Sequence, residues 1–255
     1  MERDFKDWGG NILALVAVVL VNAIATGLPL GGVTTGEVSA RYESTFTPAG
    51  YAFAIWGLIY VALFAFVLYQ AGSGNRNDEQ LARISRPWQL SCLFNVVWIF
   101  FWHYDFLLLS MLAMLGLLLS LVTIYRELGI AVTPAPLGRK LFVHVPFSIY
   151  TGWICVATIA NLSAVQVGTG WESLIFDAET WTLLKLGVAG AIGATLICRR
   201  RDIAATLVVA WAAWAISVKQ AGVPAVAGAA QTLTYIALLL VAFEIVRLTA
   251  NRGDT

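Results

Sequence analysis

Apolar residues run through this chain in blocks of about twenty, broken by short polar stretches that carry nearly all of the charge. The hydrocarbon core of a bilayer is roughly 30 Å thick and takes about 20 helical residues to cross. Eight blocks meet that requirement, near 11–30, 50–70, 87–104, 105–125, 140–164, 179–198, 202–220 and 224–246. A chain segment in hydrocarbon must satisfy its own backbone hydrogen bonds, so each block is expected to be a helix. The third and fourth share only His103-Tyr104-Asp105, which leaves no chain for anything but an antiparallel hairpin. The predicted fold class is therefore all-α, a polytopic transmembrane bundle of about eight spans.

The basic residues alternate with the spans. Arg3 and Lys6, then Arg76, Arg83 and Arg86, then Arg126, Arg139 and Lys140, then Arg199, Arg200 and Arg201, and finally Arg247 and Arg252 fall on one side, against Arg41 and Lys219 on the other. Lys and Arg accumulate on the cytoplasmic face, so both termini are expected there, with a bacterial cytoplasmic membrane as the expected location. On the opposite face, the segments 31–49 and 166–177 are longer than a connection needs and read as lids or as plain connectors.

Composition agrees with the pattern. Of 255 residues 59% are hydrophobic and 12% charged, and mean hydropathy is +0.78, far from an ordinary soluble domain. A net charge of +1 gives no electrostatic reason to expect nucleic acid as a partner; the bilayer is the partner the pattern demands. The start, MERDFKDWGG, has more acids than bases, so the first block reads as a retained helix and not a cleaved signal. Cys92, Cys155 and Cys198 have neither disulfide nor zinc spacing and read as small core residues.

Ten tryptophans are present. Trp8, Trp88, Trp171 and Trp181 lie near span ends, where an indole is usually an interfacial anchor. The others form helical stripes. Trp56 and Tyr60 share a face of span two; Asn95, Trp98 and Trp102 share one of span three; Pro146, Tyr150, Trp153, Ala157 and Asn161 share one of span five. The charge-derived orientation brings all three faces to a similar depth. Buried amides such as Asn95 and Asn161 need partners, either between helices or in a ligand. The stripes thus describe either aromatic and amide packing or a pocket for a planar hydrophobic ligand, covered by the 31–49 segment.

Three stretches, FTPAGYAFAIWGLIY (46–60), QLSCLFNVVWIFF (89–101) and PFSIYTGWICVATIANL (146–162), carry a resemblance to the tryptophan-rich sensory protein family, TspO/MBR, also called translocator protein. That family has a proline-containing loop before a W-x-x-x-Y helix, then N-x-x-W, then W-x-x-x-A-x-x-x-N, and all three recur here in order. The resemblance covers about residues 11–165, a five-helix unit, and leaves 166–255 as three additional helices with a short tail. It implies a pocket closed by the first loop, a tetrapyrrole such as protoporphyrin or another hydrophobic small molecule as ligand, no required cofactor, and a homodimer as a common assembly. Carried over by position, Trp56, Tyr60, Asn95, Trp98, Trp153, Ala157 and Asn161 match pocket or packing positions; Trp102 and Tyr150 join them through the stripes. Thr47-Pro48-Ala49 departs from the paired prolines typical of the family's loop.

Lys185 is the best-placed intramembrane charge. It could meet a ligand carboxylate or line a transport path, or its stem could snorkel toward Asp177 and Glu179 or lie over Trp181. Gly187, Gly190, Ala191, Gly193 and Ala194 make span six smooth enough for close packing. His103 and His144 fall at opposite ends of the membrane, so they cannot share a metal, and Glu244 with Arg247 has ion-pair spacing. Three function classes remain: a binder of a planar hydrophobic ligand for sensing, sequestration or transport, a secondary transporter of a small solute, and a membrane enzyme acting on its bound ligand.

Overall fold

The computed structural model describes residues 5–27 and 30–253. Arg3 and the side chains of Lys6 and Arg252, which entered the charge pattern, lie outside the described residues. Eight long helices match the eight blocks: α1 (Phe5–Gly27), α3 (Ile55–Ala71), α4 (Glu79–His103), α5 (Leu107–Glu127), α6 (Val145–Thr169), α7 (Ala178–Ala194), α8 (Ile203–Lys219) and α9 (Pro224–Gly253), with a short α2 (Thr35–Arg41) between the first two. Among the described residues six helices are both long and apolar enough to span a bilayer unaided; α8 is apolar but shorter, and α4 begins on charged turns. The chain is an integral membrane protein. Its outer faces are correspondingly apolar, with Leu13, Leu58, Phe64, Leu112, Leu119, Val188, Leu239 and Phe243 all exposed, a surface that is stable in lipid and not in water.

Helix α6 is the hub. It packs against α5, α8, α3 and α7, while α4 packs against α5 and α1, and α9 closes the far side against α8 and α7. The α6–α8 crossing is tight because Gly152 has no side chain: a Cβ there would lie 3.0 Å from Cα and O of Ala205. Since lipid is as apolar as a leucine side chain, such close backbone approach supplies association that burial from water cannot. Gly193 sits similarly against Val209 and Gly190 against Leu233, while Gly187 faces open space.

Polar networks fix the register. Asp202 caps α8 by accepting from Ala205 N at 3.1 Å, and its carboxylate also accepts from Tyr125 Oη at 2.6 Å and from Ser148 Oγ, tying three helices at one point. Asn11, fully buried, donates to Gln70 Oε1 at 2.9 Å and Ser85 Oγ at 3.0 Å. Trp88 is not an interfacial anchor. It is buried, donates to the main-chain O of Asn11 at 3.1 Å and packs edge-on to Phe66 and Phe147, because a backbone carbonyl of α1 gives its N–H a partner inside the bundle. Cys198 likewise departs from the core and is exposed, whereas Cys92 is buried. The α4–α5 hairpin turns at Asp105, whose φ of 60° lies in the left-handed region that aspartate tolerates better than most residues. Glu244 and Arg247 form their ion pair at 3.1 Å.

Candidate functional site

The 31–49 segment is a folded cap. Thr34 Oγ1 accepts from Glu37 N at 3.3 Å and Glu37 Oε2 accepts from Thr34 N at 2.6 Å, a reciprocal capping box that starts α2. These hydrogen bonds hold the Glu37 carboxyl below its ordinary range. The cap is fastened mainly by the last helices. Ala49 N donates to Ala215 O at 2.9 Å; Gln220 Nε2 donates to Ser44 O at 3.3 Å and Thr47 O at 3.0 Å. Thr45 Oγ1 lies 2.6 Å from Thr182 Oγ1, and Trp102 Nε1 donates to Thr35 O at 3.1 Å. Lys219 pairs with Glu43 and Arg41 with Asp105 at the exposed rim.

Beneath this cap lies a cavity of about 50 Å³, room for a few water molecules. Trp56, Trp98, Trp102, Trp153, Ala157 and Asn161 line it, with Phe46 and Pro48 from the cap, Met114 from α5, and Ala212 and Ile216 from α8. Small residues at Ala157, Ala160 and Ala164 leave the space open along one face of α6. Trp56 is the centre of the aromatic wall: it stacks on Tyr60 at 5.6 Å, tilts against Trp98 at 6.4 Å and meets Tyr150 and Trp153 edge-on at 6.0 and 6.2 Å. Trp98 in turn stacks on Trp102 at 5.7 Å. Each such pair is worth about 0.5–1.5 kcal/mol beyond the area it buries.

The stripes of α3, α4 and α6 therefore converge, and the amides orient the rings. Asn161 Oδ1 accepts from Trp98 Nε1 at 2.8 Å, and its Nδ2 donates to Ser110 Oγ at 3.1 Å. Asn95 and Tyr150 do not line the cavity. They sit behind the ring wall, where Asn95 Nδ2 donates to Tyr150 Oη at 3.1 Å and Asn95 Oδ1 accepts from Asn22 Nδ2 at 2.8 Å. Two polar atoms of the cluster are buried with no partner: the Trp153 indole N–H and the Tyr60 hydroxyl.

On the other side of Trp56, Phe53 and Trp98, a groove of about 520 Å³ opens between α1 and α3. Tyr60, Asn22, Thr26 and Gly57 line it, and it shares Thr35 and the three aromatic rings with the cavity. Asn22, Met114, Ala212, Ile216 and Asp202 are among the positions the sequence pattern did not single out. Asn22 falls within an apolar block and Ala212 within an alanine-rich one; only the TTGE stretch at 34–37, a capping-box sequence, was readable for the cap.

Lys185 is not part of the aromatic cavity. Its side chain is buried, makes no ion pair with Asp177 or Glu179 among the described residues, and faces a separate small void beside Gln166, Glu172 and Trp181. Asp177 is instead the cap of α7, accepting from Thr180 N at 2.8 Å. His103 closes α4 and His144 precedes α6, at opposite ends of the bundle.

The family model described as TSPO-like protein matches residues 8–244. The chain belongs to the TSPO-like family. The match extends into the last three helices, beyond the 11–165 stretch that carries the resemblance by motif. In this TSPO-like protein α8 is built into the cavity wall and into the fastening of its cap. No curated protein and no solved structure shows a match to the chain.

Proposed function

We propose that this TSPO-like membrane protein binds a planar hydrophobic ligand of the tetrapyrrole class in the aromatic cavity, for sensing, sequestration or transport. The observation that carries the reading is the Trp153 indole N–H, buried and without a partner, on a residue that lines a mainly apolar, aromatic-walled space. An unpaired buried donor costs about 1–3 kcal/mol, a cost that a ligand acceptor removes on binding. Flat indole faces offer stacking area to a planar molecule at little conformational cost.

The closed cavity is too small for a tetrapyrrole. Binding therefore requires Trp56 and Phe53, the partition between cavity and groove, to turn aside and join the two spaces. The groove opens on the α1–α3 surface, and that route admits a ligand dissolved in the bilayer. The test is quenching of intrinsic fluorescence by protoporphyrin IX in detergent, with Trp153→Ala compared with Trp171→Phe. Saturable quenching that Trp153→Ala abolishes and Trp171→Phe preserves is expected. Equal affinity in wild type and Trp153→Ala refutes the site.

A further inference from the structure

A second set of unsatisfied polar groups lies outside the aromatic cavity. Between α6, α7 and the cap, Gln166, Trp181, Thr182 and Lys185 surround a void of about 10 Å³, enough for about one water molecule. Gln166 is 1% exposed, and neither its amide nitrogen nor its amide oxygen has a partner; the Trp181 indole N–H has none either. Lys185, 8% exposed, makes no ion pair among the described residues. Its nearest electrostatic counterpart is Glu172, carried by the segment between α6 and α7 and lining the same void.

Two buried N–H donors without a partner, beside a lysine ammonium that makes no ion pair among the described residues and lines the same void, describe a site for an anion. A single positive charge suits a monoanion, and an ammonium, an amide N–H and an indole N–H together match the acceptor capacity of one carboxylate. Ser44 lies between the void and the aromatic cavity and lines both, so one ligand reaching both spaces passes that residue. We propose that this void holds the carboxylate of a hydrophobic acid whose apolar body lies in the aromatic cavity. The proposal rests on the cavity reading above and adds the ligand's acidic arm to it. Glu172 occupies the role of that carboxylate in the empty protein and is displaced when the acid enters.

Protoporphyrin IX and its dimethyl ester share one apolar body and differ only in the acid, so they are the probes. Both are titrated against wild type, Lys185→Met and Glu172→Gln in the same detergent. Lys185→Met removes a buried charge and keeps the apolar bulk of the stem. In wild type the acid binds more tightly than the ester by about tenfold or more, the scale of a charge-assisted hydrogen bond. Lys185→Met brings the acid to the ester's affinity and leaves the ester unchanged; Glu172→Gln tightens the acid alone. Ester and acid binding equally well to wild type, or Lys185→Met weakening both alike, overturns this proposal while the cavity reading stands. Saturable binding of neither probe to wild type overturns the cavity reading and this proposal with it.

Discussion

Gln220 gives the most direct handle on the cap. Its Nε2 donates to two cap carbonyls, Ser44 O and Thr47 O, beside the backbone bond from Ala49 N to Ala215 O. Gln220→Leu keeps the side-chain bulk and removes both donors. Each bond contributes about 0.5–1.5 kcal/mol net, so the closed cap loses roughly 1–3 kcal/mol. That corresponds to a rise of roughly 5- to 150-fold in the open population. Amide hydrogen exchange reads this locally: the Ala49 amide should exchange faster by that factor in Gln220→Leu, while amides in the middle of α5 and α6 are unchanged. Protoporphyrin should both bind and leave faster. Unaltered protection at Ala49, with the substitution confirmed and the bundle intact, would refute the claim that α8 fastens the cap.

Other expectations follow from single contacts. Asp202→Ala removes a helix cap and leaves the Tyr125 and Ser148 hydroxyls without their acceptor, at a cost on the order of 3–5 kcal/mol; Asp202→Asn should recover most of it, as read by thermal unfolding in detergent. Gly152→Leu forces α6 away from Ala205 and should cost at least about 1–3 kcal/mol, whereas Gly187→Ala, facing open space, should be nearly neutral in the same assay. Asp78 caps α4 and accepts from Arg139 at 2.9 and 3.0 Å. Burial alone would raise its carboxyl, but the hydrogen bonds from Arg139 and from the backbone of Leu81 and Gln80 hold it below the ordinary value. A depressed folded value means stability that is present at neutral pH and lost as pH falls below about 4, so melting temperature should fall less between pH 7 and pH 3 in Asp78→Asn than in wild type.

The helices were legible because span length is set by the bilayer, and the three stripes because a helix repeats its face every three to four residues. Trp56, Trp98 and Trp153 could thus be placed on faces, and those faces meet. What the period cannot say is which neighbour a face meets. Met114, Ala212 and Ile216 line the cavity through bundle order alone, and nothing in an alanine-rich span marks one alanine as a wall. Depth was equally silent on Asn95 and Tyr150, which share stripes with cavity residues but bond to each other behind the rings. Trp88 was misplaced because nearness to a span end does not show the main-chain carbonyl of Asn11 that takes its N–H inside the core. Lys185 was visible as an anomaly; the company of Gln166 and Trp181 was not, since they lie on different elements and meet only when α6 and α7 pack.

The central claim is that the wall around Trp56 and Trp153 is a ligand site and not packing alone. The measurement that tests it most directly is photolabelling with a diazirine-bearing porphyrin, mapped by mass spectrometry with and without excess protoporphyrin IX. Labels on the segments 53–60, 98–102 and 153–161 that the competitor removes are the predicted result. Labels confined to the lipid-facing surfaces of α5 and α9, indifferent to the competitor, would contradict it.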